Sequence, residues 1–322
     1  TYNAPELGSL TRHFPDPVLL DRFDAIRKAA GQETLTALDT APKFDAKRHT
    51  TGGNASALIF AAGLGDRLAC DTNKVEIVAI TGNSMGWYTA LACAGAVRSD
   101  TGFEIANTMG TLMHSQASGG QLVYPHMGDD WVPNPDEKSR LLALVDEIDA
   151  RPDHRLGLSI DLGGLLVLAG DTAGLRAFEA AVPKTERFPL RLAYHAAFHT
   201  DLMIPVSSQG LERFPASLFE QPSVPLVDGC GQVWWPHASD PSALRDYTLR
   251  TQVTESYDFT HAIRIAAQEF APDLLIVASP GTTLGGAVAQ ALVLSGWRGL
   301  SDKAKFQELH SRDPLLLSLI HI

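Results

Sequence analysis

A chain of 322 residues, 45% hydrophobic and 20% charged, is long enough to bury a sizeable core and has the composition of a soluble globular protein. Its net charge of −11 excludes nonspecific nucleic-acid binding, which needs a cationic face, and no Lys/Arg run offers a local exception. No apolar run has the length of a bilayer span and no basic-then-apolar leader opens the chain, so no membrane role is expected. Cys70, Cys93 and Cys230 are odd in number and lack a C-x-x-C pattern, which argues against a disulfide framework or a zinc site and for a reducing cytoplasm.

In chain order, residues 1–50 read as helical with polar interruptions, and Pro17 suits the first turn of a helix. Residues 55–68 are small and apolar enough for a buried helix, and the run 75–80 (VEIVAI) reads as a buried strand. Next come Gly82-Asn83-Ser84-Met85-Gly86, a helix from Trp87 to Ala94 ended by Gly95, and a helix over 103–116 broken by residues 117–120. Between 118 and 190 the rhythm changes. Strand 121–124, helix 136–149, strands 155–160 and 165–169 around Gly163-Gly164, helix 172–181 and strand 186–190 give a β-α-β-β-α-β order, the ferredoxin-like pattern. The reading is a large α/β domain with a parallel sheet, formed by 1–117 and 191–322, into which 118–190 is inserted as a ferredoxin-like subdomain. Strands at 224–227 and 274–278 and a helix over 287–294 complete the large domain. Its Gly-rich loop 279–286 lacks the Gly-Lys-Ser/Thr of a phosphate cradle.

Strand, Gly-x-Ser-x-Gly and helix form the setting of a nucleophile elbow: Ser84 is exposed on a tight turn, and the first N–H groups of the helix point toward it. The plainer reading is a glycine-rich loop holding an ordinary serine. A serine nucleophile needs a base, and the segment Tyr194-His195-Ala196-Ala197-Phe198-His199 offers two histidines four apart. On a helix they would share a face, but the zincin pattern needs a glutamate where Ala196 stands. One histidine as general base is the better functional reading; two capped histidines are the structural alternative.

These segments together resemble the malonyl-CoA:acyl carrier protein transacylase family, which includes the acyltransferase domains of polyketide synthases. Residues 82–91 are similar to that family's GHSLGEYSAL, and Ala196-Ala197-Phe198-His199 with Leu202-Met203 to its HAFH…LM. Residues 162–170 resemble NxPGQVVISG, residues 279–284 the GPGxxL loop, and Gln252 precedes Phe259-Thr260 at the family's spacing. The resemblance implies that the large domain is α/β-hydrolase-like, that Ser84 attacks an acyl thioester and that His199 is its base. By the same resemblance, the second imidazole nitrogen is oriented by a main-chain carbonyl near Gln252, and the Met85 N–H is an oxyanion donor. A ping-pong cycle in fatty-acid or polyketide biosynthesis is implied. Acyl-CoA loads Ser84, and the phosphopantetheine thiol of an acyl carrier protein collects the acyl group, with no metal and no tightly bound cofactor.

The chain departs from the family in ways that bear on substrate. Met109 stands where the family has the arginine that pairs with the malonyl carboxylate, so a neutral acyl group is expected; the alternative is that another basic group, such as His114, replaces the arginine. Asn83 and Trp87 replace the motif's histidine and glutamate, and Asn54 stands at a pocket glutamine. Asn83, Met109, His114, Phe198 and Asn54 are the expected substrate-binding set, and Trp87 is expected to reshape the acyl pocket or its entrance. Thr1-Tyr2-Asn3 resembles the stretch just after the family's GQGSQ loop, so the second oxyanion donor is not expected among these residues. The same dyad also serves hydrolysis of acyl groups stalled on a carrier protein, and a non-catalytic docking homologue is the third reading. Lys184, Arg187 and Arg191 are the expected basic rim for an acidic carrier protein.

Overall fold

The computed structural model describes residues 2–116 and 118–318, with the backbone alone at Ser318. Thr1, Ala117 and residues 319–322 lie outside the described residues, and with them part of the break expected at 117–120 and the outer limits assigned to the large domain. The chain is a mixed α/β protein.

The N-terminal half is helical. Pro17 occupies the first turn of helix Pro17–Ala29, and the Asp16 side chain caps it by accepting from the Leu19 N–H at 3.0 Å. This helix packs on Gly52–Ala69 and Ser99–Ser115: the Phe23 ring stacks on Phe103 at 4.2 Å, with the Phe60 edge against both. Helix Gly86–Cys93 lies in the same core and begins immediately after the serine turn.

A five-stranded sheet has the order Leu190–Leu192, Gly120–Pro125, Leu165–Gly170, Leu156–Leu162, Tyr257–Asp258; the first four are antiparallel, and the last joins in parallel. Successive side chains alternate between its faces. Leu122, Leu166 and Leu168 pack under helices Pro135–Asp149 and Thr172–Ala181, whereas Val123, Val167 and Ile160 pack against Phe259–Phe270 and Thr283–Leu294. Burial on both faces explains why residues 165–169 are apolar without alternation. The strand expected at 186–190 forms instead at Leu190–Leu192, because Gln121 to Val123 offer partners only to these residues.

In place of the parallel sheet expected of the remaining chain, the described residues form a small three-stranded sheet and a two-stranded one. Ile80–Thr81 pairs with Leu226–Val227, which also takes Val233–Trp234 antiparallel, and Leu275–Val277 pairs with Leu316–Ser318. The buried strand expected over 75–80 is corrected to Ile80–Thr81. Residues 75–79 have no strand partner among the described residues, and Val75 and Val78 are exposed. No helix among the described residues is long and apolar enough to cross a membrane.

Candidate active site

The serine turn is made by close approach of backbone. A Cβ on Gly82 would lie 2.2 Å from the Gly86 carbonyl oxygen and 2.7 Å from the Trp87 nitrogen, so only glycine lets the chain fold back there. A Cβ on Gly86 would meet nothing within 4 Å, so the close approach rests on Gly82. The turn holds Ser84 at φ +53°, a left-handed conformation that costs a non-glycine residue on the order of 1–3 kcal/mol. The Met85 N–H, at the helix N-terminus, makes no hydrogen bond among the described residues.

His199 comes from a loop, not a helix, so the shared helical face imagined for His195 and His199 does not form. It too is left-handed, at φ +59°. Its Nε2 lies 2.6 Å from Ser84 Oγ, across 115 residues of sequence, and its Nδ1 lies 2.6 Å from the Gln252 carbonyl oxygen. That carbonyl accepts only from an N–H, so Nδ1 carries the proton and Nε2 presents a lone pair to the serine hydroxyl. Burial pushes the imidazole down to about 4, partly opposed by the Gln252 hydrogen bond. The ring is therefore neutral at pH 7 and free to take a proton from Ser84.

Gln252 acts twice. Beside its carbonyl on His199, its side-chain Nε2 donates to the Ser84 carbonyl at 3.0 Å, and its Oε1 accepts from Tyr88 Oη at 3.3 Å. A π-helical turn, Tyr247–Thr251, immediately precedes it, an irregularity that sequence reasoning missed. Tyr257 was also missed. Its hydroxyl donates to the Gly82 carbonyl, and its ring lies 5.6 Å from that of His199.

The other expected site residues divide between the dyad's surroundings and the core. Asn83 has a buried Oδ1 without a hydrogen-bond partner among the described residues. Phe198, half-buried, puts its ring 5.6 Å from that of His195. Met109 is fully buried in the helical core, its sulfur facing Gly210. His114 is exposed in the last turn of the same helix. Asn54 binds Arg27 through Oδ1 and donates to the Arg48 carbonyl through Nδ2 at 2.8 Å; no hydrogen bond joins it to the dyad. Trp87 is buried and donates to Thr248 Oγ1 at 3.0 Å, so it packs in the core instead of shaping an entrance. Arg191 is paired with Glu179, which removes one cation from the expected basic rim.

No protein-family model matches the sequence, and no curated protein does. Solved structures do. An acyl carrier protein S-malonyltransferase from Vibrio cholerae superposes with a TM-score of 0.73 at 17% identity, over 99% of this chain and 94% of that one. One from Burkholderia pseudomallei gives 0.70 at 20% identity over 94% of each. A malonyl-transacylase in complex with its type II polyketide synthase acyl-carrier protein gives 0.71 at 18% identity over 96% of each. The chain has the fold of the malonyl-CoA:acyl carrier protein transacylases.

Proposed function

We propose that this chain is a serine-dependent acyltransferase that moves a neutral acyl group from CoA to the phosphopantetheine thiol of an acyl carrier protein. The observation that carries the reading is the chain of contacts from Ser84 Oγ through His199 to the Gln252 carbonyl, set in this fold. His199 Nε2 takes the proton from Ser84 Oγ as the oxygen attacks the thioester carbonyl. The oxyanion of the tetrahedral adduct accepts from the Met85 N–H. Collapse breaks the C–S bond, and His199 returns the proton to the departing CoA sulfur. The carrier-protein thiol then gives its proton to His199 and attacks the acyl-serine, and the steps reverse to regenerate Ser84.

Support for a neutral acyl group comes from the sequence position of Met109: it stands where the resembled family has its carboxylate-pairing arginine, although its side chain packs in the helical core. A thioether offers no counter-charge, and an unpaired carboxylate in an enclosed site costs several kcal/mol. Support for the carrier-protein partner comes from the fold shared with a malonyl-transacylase solved in complex with its acyl-carrier protein. The β-α-β-β-α-β order and the 4-1-3-2 pairing of its strands support a ferredoxin-like subdomain over 118–190 inserted in an α/β-hydrolase-like domain of 1–117 and 191–322. The free cysteines suit a reducing cytoplasm.

Intact mass after incubation with acetyl-, longer acyl- and malonyl-CoA tests the reading. The expected result is a neutral acyl adduct on the wild type and none on Ser84→Ala. Preferential malonyl loading overturns the substrate class, and no adduct from any donor overturns the activity. Free acid released from acyl-carrier protein, without exchange onto CoA, reassigns the same dyad to hydrolysis.

A further inference from the structure

His199 is held at two places. Gln252 orients its ring, but its left-handed backbone depends on the plane of the peptide that joins it to Phe198, and this peptide is gripped from the five-stranded sheet. Ser159 Oγ donates to the Phe198 carbonyl at 2.8 Å. Gln121 Nε2 in turn donates to Ser159 Oγ at 2.6 Å, and Gln121 Oε1 lies 2.7 Å from His195 Nδ1. Ser159 and Gln121 are both buried, and His195 closes the outer end at the exposed side of the same loop.

The donors fix one direction for this chain. A carbonyl only accepts, so the Ser159 hydrogen is committed to Phe198. The Ser159 oxygen then accepts from the Gln121 amide, and Gln121 Oε1 is left to accept from a His195 that carries its proton on Nδ1. The strand geometry serves the same end. The pairing of Leu156–Leu162 with Leu165–Gly170 shifts register between Leu158 and Ile160, so Ser159 is the unpaired residue of a β-bulge. A bulge re-aims a side chain, and here it turns a hydroxyl onto the loop of the base.

Resting on the acyl-transfer reading above, we infer that Ser159 is a positioning residue for His199: its hydroxyl, held by Gln121, clamps the 198–199 peptide and so aims the imidazole at Ser84. The five-stranded sheet thus contributes to the chemistry through one carbonyl, while Ser159 itself touches neither substrate nor Ser84.

The test is the rate of Ser84 labelling by a fluorophosphonate, resolved into a maximal rate constant and an apparent affinity, on the full chain. Ser159→Ala is expected to lower the rate constant on the order of 10- to 100-fold, the scale on which slight misplacement of a catalytic group acts, and to leave the affinity unchanged. Ser159→Thr keeps the hydroxyl and is expected to recover most of the rate. A merely structural role would reduce the fraction of chain that labels and leave the rate constant of the remainder intact. Gln121→Met leaves Ser159 in place without its donor, so a smaller fall of the same sign is expected; it decides the matter if Ser159→Ala does not fold. A rate constant unchanged in Ser159→Ala or, should that variant not fold, in Gln121→Met overturns the clamp, as does a loss that Ser159→Thr does not recover. A wild type that fails to label at Ser84 removes the acyl-transfer reading itself, and the clamp with it.

Discussion

Ser84 and His199 occupy the same backbone region, with φ of +53° and +59°, but they are kept there by different means. Ser84 is fixed mainly from within its own segment. Gly82 folds back on Gly86, the Gly86 N–H donates to the Asn83 carbonyl at 2.8 Å, and the Trp87 N–H donates to the Ser84 carbonyl at 2.9 Å. His199 also has local support, the Phe198 N–H donating to the Ala196 carbonyl at 2.9 Å and Thr200 Oγ1 to the Ala197 carbonyl at 2.6 Å, but its ring is aimed from elsewhere. Its aim is set by Gln252, 53 residues later, and its peptide is held by Ser159, 39 residues before Phe198 in the five-stranded sheet. The nucleophile is thus a property of a turn, and the base is a property of the assembled fold. Damage to the first should act through local strain, and damage to the second through misdirection without strain.

The largest expected effect is on the side of the base. His199→Ala removes the proton acceptor and leaves the serine turn untouched, so Ser84 labelling should slow on the order of a thousandfold. Thermal stability should change little by comparison, because a loop residue is lost without disturbing the helix core. An unchanged labelling rate would mean that the 2.6 Å contact does not activate the serine.

Next in size is a pair of glycine substitutions on the side of the nucleophile. Gly82→Ala drives a methyl to within 2.2 Å of backbone that cannot yield, and should destabilise the chain by about 1–3 kcal/mol as well as slow labelling. Gly86→Ala meets open space in a helical first turn and should be neutral in stability, or gain up to about 1 kcal/mol. Equal thermal shifts in the two variants would break the claim that strain resides at Gly82.

The same contrast governs what could be read without a structure. Ser84 was legible because its frame is consecutive in sequence, and His199 because a six-residue segment, 194–199, carries it. Gln252 was reached only through its spacing to Phe259-Thr260, and that spacing did not disclose that its side chain also holds the Ser84 carbonyl. Ser159 and Gln121 left no local mark. One is a bulge residue and the other an interior polar side chain in an apolar strand, and their meaning depends on which loop passes over them. Contiguous hairpin pairing made the strands at 156–162 and 165–170 readable. The apolar run at 75–79 misled for the opposite reason: burial of such a run needs a neighbouring strand from elsewhere in the fold, and among the described residues none lies beside it.

The subtlest expected effect is in pH, and it again separates base from nucleophile. The Ser84 hydroxyl does not titrate in the working range, so the pH profile of labelling should report His199 alone. Burial holds its imidazole down to about 4, against 6.5 for a free histidine, so labelling should stay level from neutral pH to about pH 5 and fall by half near pH 4. Stability moves in the same window with a defined sign. Between 6.5 and about 4 the unfolded chain binds the proton that the folded chain excludes, so the contribution of this histidine to stability is complete above 6.5 and is lost as the pH falls toward 4. Chemical denaturation at pH 7 and pH 5 should therefore show a lower midpoint at pH 5 in the wild type, and a smaller difference in His199→Gln, which cannot titrate. A labelling profile that bends at 6.5 instead would place the imidazole in water, and would mean that the Gln252 carbonyl does not hold it in the protein's working state.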